Sequence, residues 1–125
     1  MNLLLDTHVL LWWLEDHPGL SEKARNVIAD GANMVFISAV VIWEISIKSA
    51  LGKLTIPDEF WEIVDRQNFE HLDITSVHAR ATGHLPIWHR DPFDRMLVAQ
   101  TKVESLTLVT RDAVLQKYKI PLIMA

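Results

Sequence analysis

Four short apolar runs punctuate the chain: "NLLLD" at 2–6, "MVFIS" at 34–38, "LTLVT" at 106–110 and "IPLIM" at 120–124. Each is too short for a helix and rich in residues that suit a strand buried on both faces. Stretches with helical spacing lie between them. Short buried strands separated by helices are joined in parallel, with the helices covering both faces of the sheet. The pattern predicts an α/β fold, a three-layer α/β/α sandwich around a short parallel sheet. "FEHLDI" at 69–74 is a further, weaker strand. "IPLIM" is expected at an edge, because Pro121 lacks an N–H for the ladder.

The intervening helices carry their own boundary signals. "THVLLWWLED" is closed by "HPG", and "LSEKARNVIADG" has Ser21 as N-cap and Gly31 as its stop. "SAVVIWEISIKSALGKL" is capped by Ser38 and broken near Gly52. "PDEFWEIVDRQ" starts at Pro57–Asp58, and "TSVHARATGHL" has Thr75 or Ser76 at its cap. "DPFDRMLVAQTKVE" and "RDAVLQKY" complete the set.

At 125 residues, residues 1–125 are expected to form one domain, and a hydrophobic fraction of 50% is enough for a packed core. The absence of cysteine excludes disulfides, thiolate metal sites and thiol chemistry. A net charge of −4 argues against binding nucleic acid by charge alone, unless a local basic rim or bound cations intervene. It leaves metal-dependent enzymes open. "MNLLLD" has no basic segment before its leucines, so it does not read as a signal peptide. No apolar run approaches the roughly 20 residues of a membrane span. The expectation is a soluble, cytoplasmic protein.

In open parallel sheets, ligands bind beyond the carboxyl ends of the strands. Asp6 ends the first strand and Asp112 lies just past "LTLVT". Asp91 and Asp94 flank Pro92–Phe93 at the start of a helix. Glu44 lies inside a helix; at about 100° per residue it falls between Val40 and Val41 and close to Leu51, on an apolar face. Each has a local explanation. Asp6 and Asp91 suit N-caps, Asp94 and Asp112 suit first helical turns, and Glu44 can pair with Lys48 at i+4. Such a pair contributes only about 0.3–0.5 kcal/mol, too little to place an acid on an apolar face.

Taken together, the acids demand more. If the sheet is parallel, Asp6, Asp94 and Asp112 share one edge and Glu44 leans in from a crossover helix. Two unit charges about 4 Å apart repel by roughly 4 kcal/mol at an effective dielectric near 20. A group of them must protonate or hold a cation. All-oxygen ligation suits Mg2+ or Mn2+, and a carboxylate-bound divalent ion suits phosphoryl chemistry.

The six histidines show neither HxxxH nor HExxH spacing, which disfavours zinc. His8 and His89 lie near the acids; both read better as packing or hydrogen-bonding groups than as ligands, with substrate contact a second reading for His89. Five tryptophans are many for this length. Core packing is expected for most of them, with a partner surface as the alternative.

The stretches "LLLDTHVLLWWL", "ISAVVIWEISIKSALGKL", "HRDPFDRMLVAQT" and "LVTRDAVLQKY" together resemble the PIN-domain ribonucleases, specifically the VapC-type toxins of prokaryotic toxin–antitoxin pairs. The resemblance implies an α/β/α sandwich whose acidic quartet binds Mg2+ or Mn2+ and hydrolyses RNA. By motif match the quartet is Asp6, Glu44, Asp94 and Asp112, with Asp91 a supporting or alternative ligand. Thr110 matches a hydroxyl residue that assists the site, and Thr7 is a further candidate. Glu44 either ligates or orients the attacking water. Arg90, Arg95, Arg111 and Lys48 are candidates for a basic rim toward RNA phosphates, or else are solvated surface charges. The implied partners are a VapB-like antitoxin and a second copy of the chain. Thr101 departs from the family's usual "AQA" and reads as a packing change. The rival readings fit less well. A phosphoacceptor receiver needs paired acids after strand one and a lysine after the last strand, and a dehalogenase-type phosphatase needs an aspartate where His8 stands. A binding module without chemistry has no need of all four acids.

Overall fold

The computed structural model describes residues 1–125. Asn2–Leu5 forms strand β1, followed by helices α1 (Thr7–Glu15) and α2 (Glu22–Ala29) and by β2 (Met34–Ser38). Helices α3 (Ala39–Ala50) and α4 (Phe60–Arg66) lead to β3 (Glu70–Leu72). Helices α5 (Ser76–Thr82) and α6 (Pro92–Val103) lead to β4 (Thr107–Thr110), and a 3-10 turn at Ala113–Tyr118 precedes β5 (Leu122–Met124).

The five strands are all parallel, in the order β3-β2-β1-β4-β5. Leu3, Leu4 and Leu5 are each 0% exposed. Successive strand side chains point to opposite faces, so β1 is covered on both, as is β4 with Leu108, Val109 and Thr110. Each fully buried leucine contributes roughly 2 kcal/mol of transfer free energy. These strands form the centre of one continuous cluster of buried hydrophobic residues. The three-layer arrangement read from the sequence is the one observed, with β5 and Pro121 at an edge.

The caps explain where the helices begin. Asp6, Ser21, Ser38, Thr75 and Asp91 each accept a backbone N–H in the first turn of the helix that follows. Helix α3 ends at Ala50, and Gly52 adopts φ +70° in the turn that follows, a conformation that costs glycine nothing.

Four details depart from the sequence reading. Helix α4 begins at Phe60, because Pro57–Glu59 form a turn in which the Phe60 N–H donates to the Pro57 carbonyl and no side chain caps the helix. "RDAVLQKY" yields a 3-10 segment, not an α-helix. Side chains three apart eclipse in that geometry, and here it buries Leu115 and Tyr118 together. None of the tryptophans is fully buried. Trp12, Trp13 and Trp61 pack partly against the core, while Trp43 and Trp88 are exposed. Leu51 also faces solvent, so Glu44 shares its buried face with Val40, Val41 and Ile45 only.

Candidate active site

The strand order determines where a crevice opens. The chain builds β1, β2 and β3 outward in one direction, then returns through α5 and α6 to lay β4 against the other side of β1. The order therefore reverses between β1 and β4, and such a switch point leaves a ligand crevice at the carboxyl ends of the strands. Asp6 directly follows β1. Thr110 ends β4, and Asp112 lies two residues on.

Asp6 is buried, and its two oxygens have separate tasks. Oδ1 accepts the Val9 N–H at 2.8 Å, capping α1, and Oδ2 accepts the Thr110 hydroxyl. The capping and pocket readings of Asp6 are therefore compatible. Burial raises its carboxyl above the usual range, against the bonds from Thr110 and Val9 and the charge of His8.

Glu44, buried on α3, is satisfied on both oxygens. Thr7 Oγ1 donates to Oε1 at 2.5 Å, and Lys48 Nζ donates to Oε2 at 2.6 Å. That bond, with the charges of Glu44, Asp91 and Asp94, raises the Lys48 pKa against burial. The two threonines thus have distinct partners: Thr7 orients Glu44, and Thr110 orients Asp6 while accepting the Asp112 N–H at 3.1 Å.

The N-terminus of α6 supplies the remaining acids. Asp91 caps the helix through Oδ1, which accepts the Phe93 N–H at 2.8 Å. Asp94 lies one turn in, with its side chain 23% exposed. Burial raises its carboxyl to about 7, the neighbouring charges of Asp91, Asp6 and Glu44 add to the shift, and His89 opposes it. Asp6, Glu44, Asp91, Asp94 and Asp112 line one cleft of about 290 Å³ whose walls include no hydrophobic residue. Burial leads the Asp94 shift, and the three acids that add to it show that negative charge is crowded in this cleft. The donors are hard oxygens without thiolate, the set a divalent Mg2+- or Mn2+-like ion takes. The residues present therefore fit such an ion.

The expected basic rim divides. Lys48 and Arg111 line the cleft. Arg111 lies over the Trp12 ring at 4.2 Å, and His17 stacks on Trp12 with ring centroids 4.5 Å apart. Gly19 makes room for this stack, since a Cβ there would meet Trp12 at 2.8 Å. Arg95 is not on the rim. Its guanidinium donates to the carbonyls of Thr82, Leu85, Pro86 and His89, a buttress for the segment before α6. A guanidinium spent on four carbonyls is not free for phosphate. Arg90 lines a neighbouring groove with Trp43 and Phe93 instead of the acidic cleft.

Sequence reasoning left His89 outside the acid group. Its Nε2 lies 2.8 Å from Asp112 Oδ2 and 3.2 Å from Asp94 Oδ2. The signal was its position two residues before Asp91, from which the ring turns back to accept the Asp91 N–H. His8 also lines the cleft.

Comparison with known proteins agrees with this geometry. The PIN domain family model matches residues 3–121. The chain is 29% identical over 123 residues to Ribonuclease VapC22 of Mycobacterium tuberculosis, covering 96% of this chain and 94% of that protein. The crystal structure of VapBC2 from Rickettsia felis, bound to a fragment of promoter DNA, is similar with a TM-score of 0.75 at 18% identity, covering 99% of this chain and 98% of that one. DNA-bound VapBC from Salmonella typhimurium gives a TM-score of 0.73 at 18% identity, with the same coverages. A parallel sheet in 3-2-1-4-5 order, acids gathered at its switch point and a family match over nearly the whole length lead to one assignment: the chain belongs to the PIN domain family.

Proposed function

We propose that this protein is a metal-dependent endoribonuclease that acts as the toxin of a type II toxin–antitoxin pair. The observation that carries the reading is the convergence of five carboxylates in one wholly polar cleft, where burial, and then the charges of its acidic neighbours, raise the Asp94 carboxyl to about 7. The relative named as a ribonuclease, and the VapBC complexes of the same fold, support the choice of substrate and of system. The partners that follow are a VapB-like antitoxin and a second copy of the chain. RNA as substrate implies work in the cytoplasm, and no helix is long and apolar enough to cross a membrane.

Asp6 and Asp94 would hold a Mg2+ or Mn2+ ion directly, Asp112 would extend the set, and Asp91 would be the alternative from the same helix. When bound, the ion lowers the pKa of water and offsets charge on the phosphodiester. The chain's own groups do the rest. Thr110 and Thr7 keep Asp6 and Glu44 in fixed orientations. Glu44, with Lys48 beside it, orients the attacking water for in-line displacement, leaving a 5′-phosphate and a 3′-hydroxyl. Arg111, pinned over Trp12 at the mouth of the cleft, meets an RNA phosphate with little rotamer entropy left to lose.

The test is cleavage of structured RNA, transfer RNA among the candidates, with Mg2+ or Mn2+ and again with EDTA. Activity is expected only with the metal, and Asp6→Asn is expected to abolish it while the protein stays folded. Cleavage that ignores the chelator, or survives Asp6→Asn, would refute the mechanism.

A further inference from the structure

His89 is held by more of the fold than a surface side chain requires. Its backbone N–H donates to the Tyr118 hydroxyl at 2.9 Å. The preceding residue, Trp88, packs edge-on against the same Tyr118 ring, with centroids 5.2 Å apart. The His89 carbonyl accepts from Arg95, which also ties down Thr82, Leu85 and Pro86. The loop ahead of α6 is thus anchored at two points, and both fix the backbone of His89.

The ring is fixed as well. The Asp91 N–H donates to His89 Nδ1 at 3.0 Å, so Nδ1 presents its lone pair and a neutral imidazole carries its proton on Nε2. That Nε2–H donates to Asp112 Oδ2 at 2.8 Å, and Asp94 Oδ2 lies 3.2 Å from the same nitrogen. An Nε2 carrying its proton has no lone pair for a metal. His89 therefore meets the acids as a donor, and not as a third ligand beside them. Asp112 is then held on both oxygens, since Oδ1 accepts the Val114 N–H at 3.0 Å. Each carboxylate oxygen has two lone pairs, so these bonds fix the carboxylate and still leave it able to bind an ion.

We propose that His89 is a positioning residue, an N–H donor that holds Asp112 beside Asp94 and so keeps both carboxylates aimed at the ion. This rests on the metal-centre reading above. Donors of this kind behind metal-binding carboxylates typically account for roughly 10- to 100-fold in metal affinity. His89→Ala removes the donor. His89→Gln keeps an amide N–H within reach of the Nε2 position.

The experiment is Mn2+ titration of the metal-free full-length protein by calorimetry, without RNA, with melting temperatures recorded for each variant. Electron spin echo spectra of bound Mn2+ then read whether a nitrogen is coordinated. The expected result is Mn2+ binding weakened roughly 10- to 100-fold in His89→Ala, largely restored in His89→Gln, and no directly coordinated nitrogen in the wild type. Wild-type affinity in His89→Ala would overturn the role. So would a His89→Gln variant that melts like wild type yet binds as weakly as His89→Ala, or a coordinated imidazole signal. Failure of the wild type itself to bind Mn2+ would overturn the metal centre, and this role with it.

Discussion

Replacing Asp94 with Asn should stabilise the metal-free protein and disable it. Asp94 holds its proton to about pH 7 when folded, against an ordinary value of 3.8. Below about pH 4 the carboxyl is protonated in both states, and the substitution changes little. Between about pH 4 and 7 the unfolded chain releases the proton and the native protein keeps it, so wild-type stability falls as pH rises. Above pH 7 the loss is complete and constant. A shift near 3 units corresponds to about 4 kcal/mol at 1.36 kcal/mol per unit. The cleft is open to solvent and the side chain is 23% exposed, so screening reduces this to about 2 kcal/mol. For a chain of this size, that raises the melting temperature by roughly 8 °C. The assay is thermal unfolding in EDTA from pH 4.5 to 8.5. The two proteins should melt together at the acid end and separate progressively up to pH 7. Saturating Mg2+ should reverse the order, because an ion at about 100 times its Kd stabilises the wild type by about 2.7 kcal/mol and finds no ionised Asp94 in the variant. An Asn variant that melts no higher than wild type at pH 8 in EDTA, or a gap that does not change with pH, would show that burial and the neighbouring acids do not raise the Asp94 carboxyl in this cleft.

Other perturbations separate supporting roles from chemistry. Arg95→Lys keeps the charge but cannot reach four carbonyls; it should cost about 2 kcal/mol and expose the 83–90 segment to limited proteolysis, and an unaltered digestion pattern would count against the buttress. Trp12→Leu should release Arg111 and raise the KM for RNA several-fold with kcat nearly unchanged, whereas Trp12→Phe should recover most of the loss. Gly19→Ala should act in the same direction by displacing the Trp12 ring; loss of kcat without change in KM in these variants would place the stack in the chemistry, not in binding.

Much of the architecture is local, and what is local was legible. The strands declared themselves as short apolar runs, and Ser21, Ser38, Thr75 and Asp91 mark helix starts by the same side-chain oxygens that cap them. Glu44 stood out because it interrupts an apolar face, and the structure buries it there with Thr7 and Lys48 as partners. Less legible were features that depend on backbone groups, which carry no residue signature. Arg95 reads as a surface cation until the carbonyls of the preceding loop surround it. His89 reads as a packing or substrate-contacting residue near the acids until the Asp91 N–H turns its ring toward them.

By itself, the sequence determined a buried parallel-type sheet, the helices between its strands, and acids at the points where strands and helices meet. Tertiary structure alone decided that β4 returns to lie beside β1, so that Thr110 donates to an aspartate 104 residues away. The physical reason is that strand order and loop path follow from the packing of whole elements. Propensity and periodicity act over a turn or two of chain, whereas the burial and the acidic neighbours that raise the Asp94 carboxyl exist only once distant segments share one cleft.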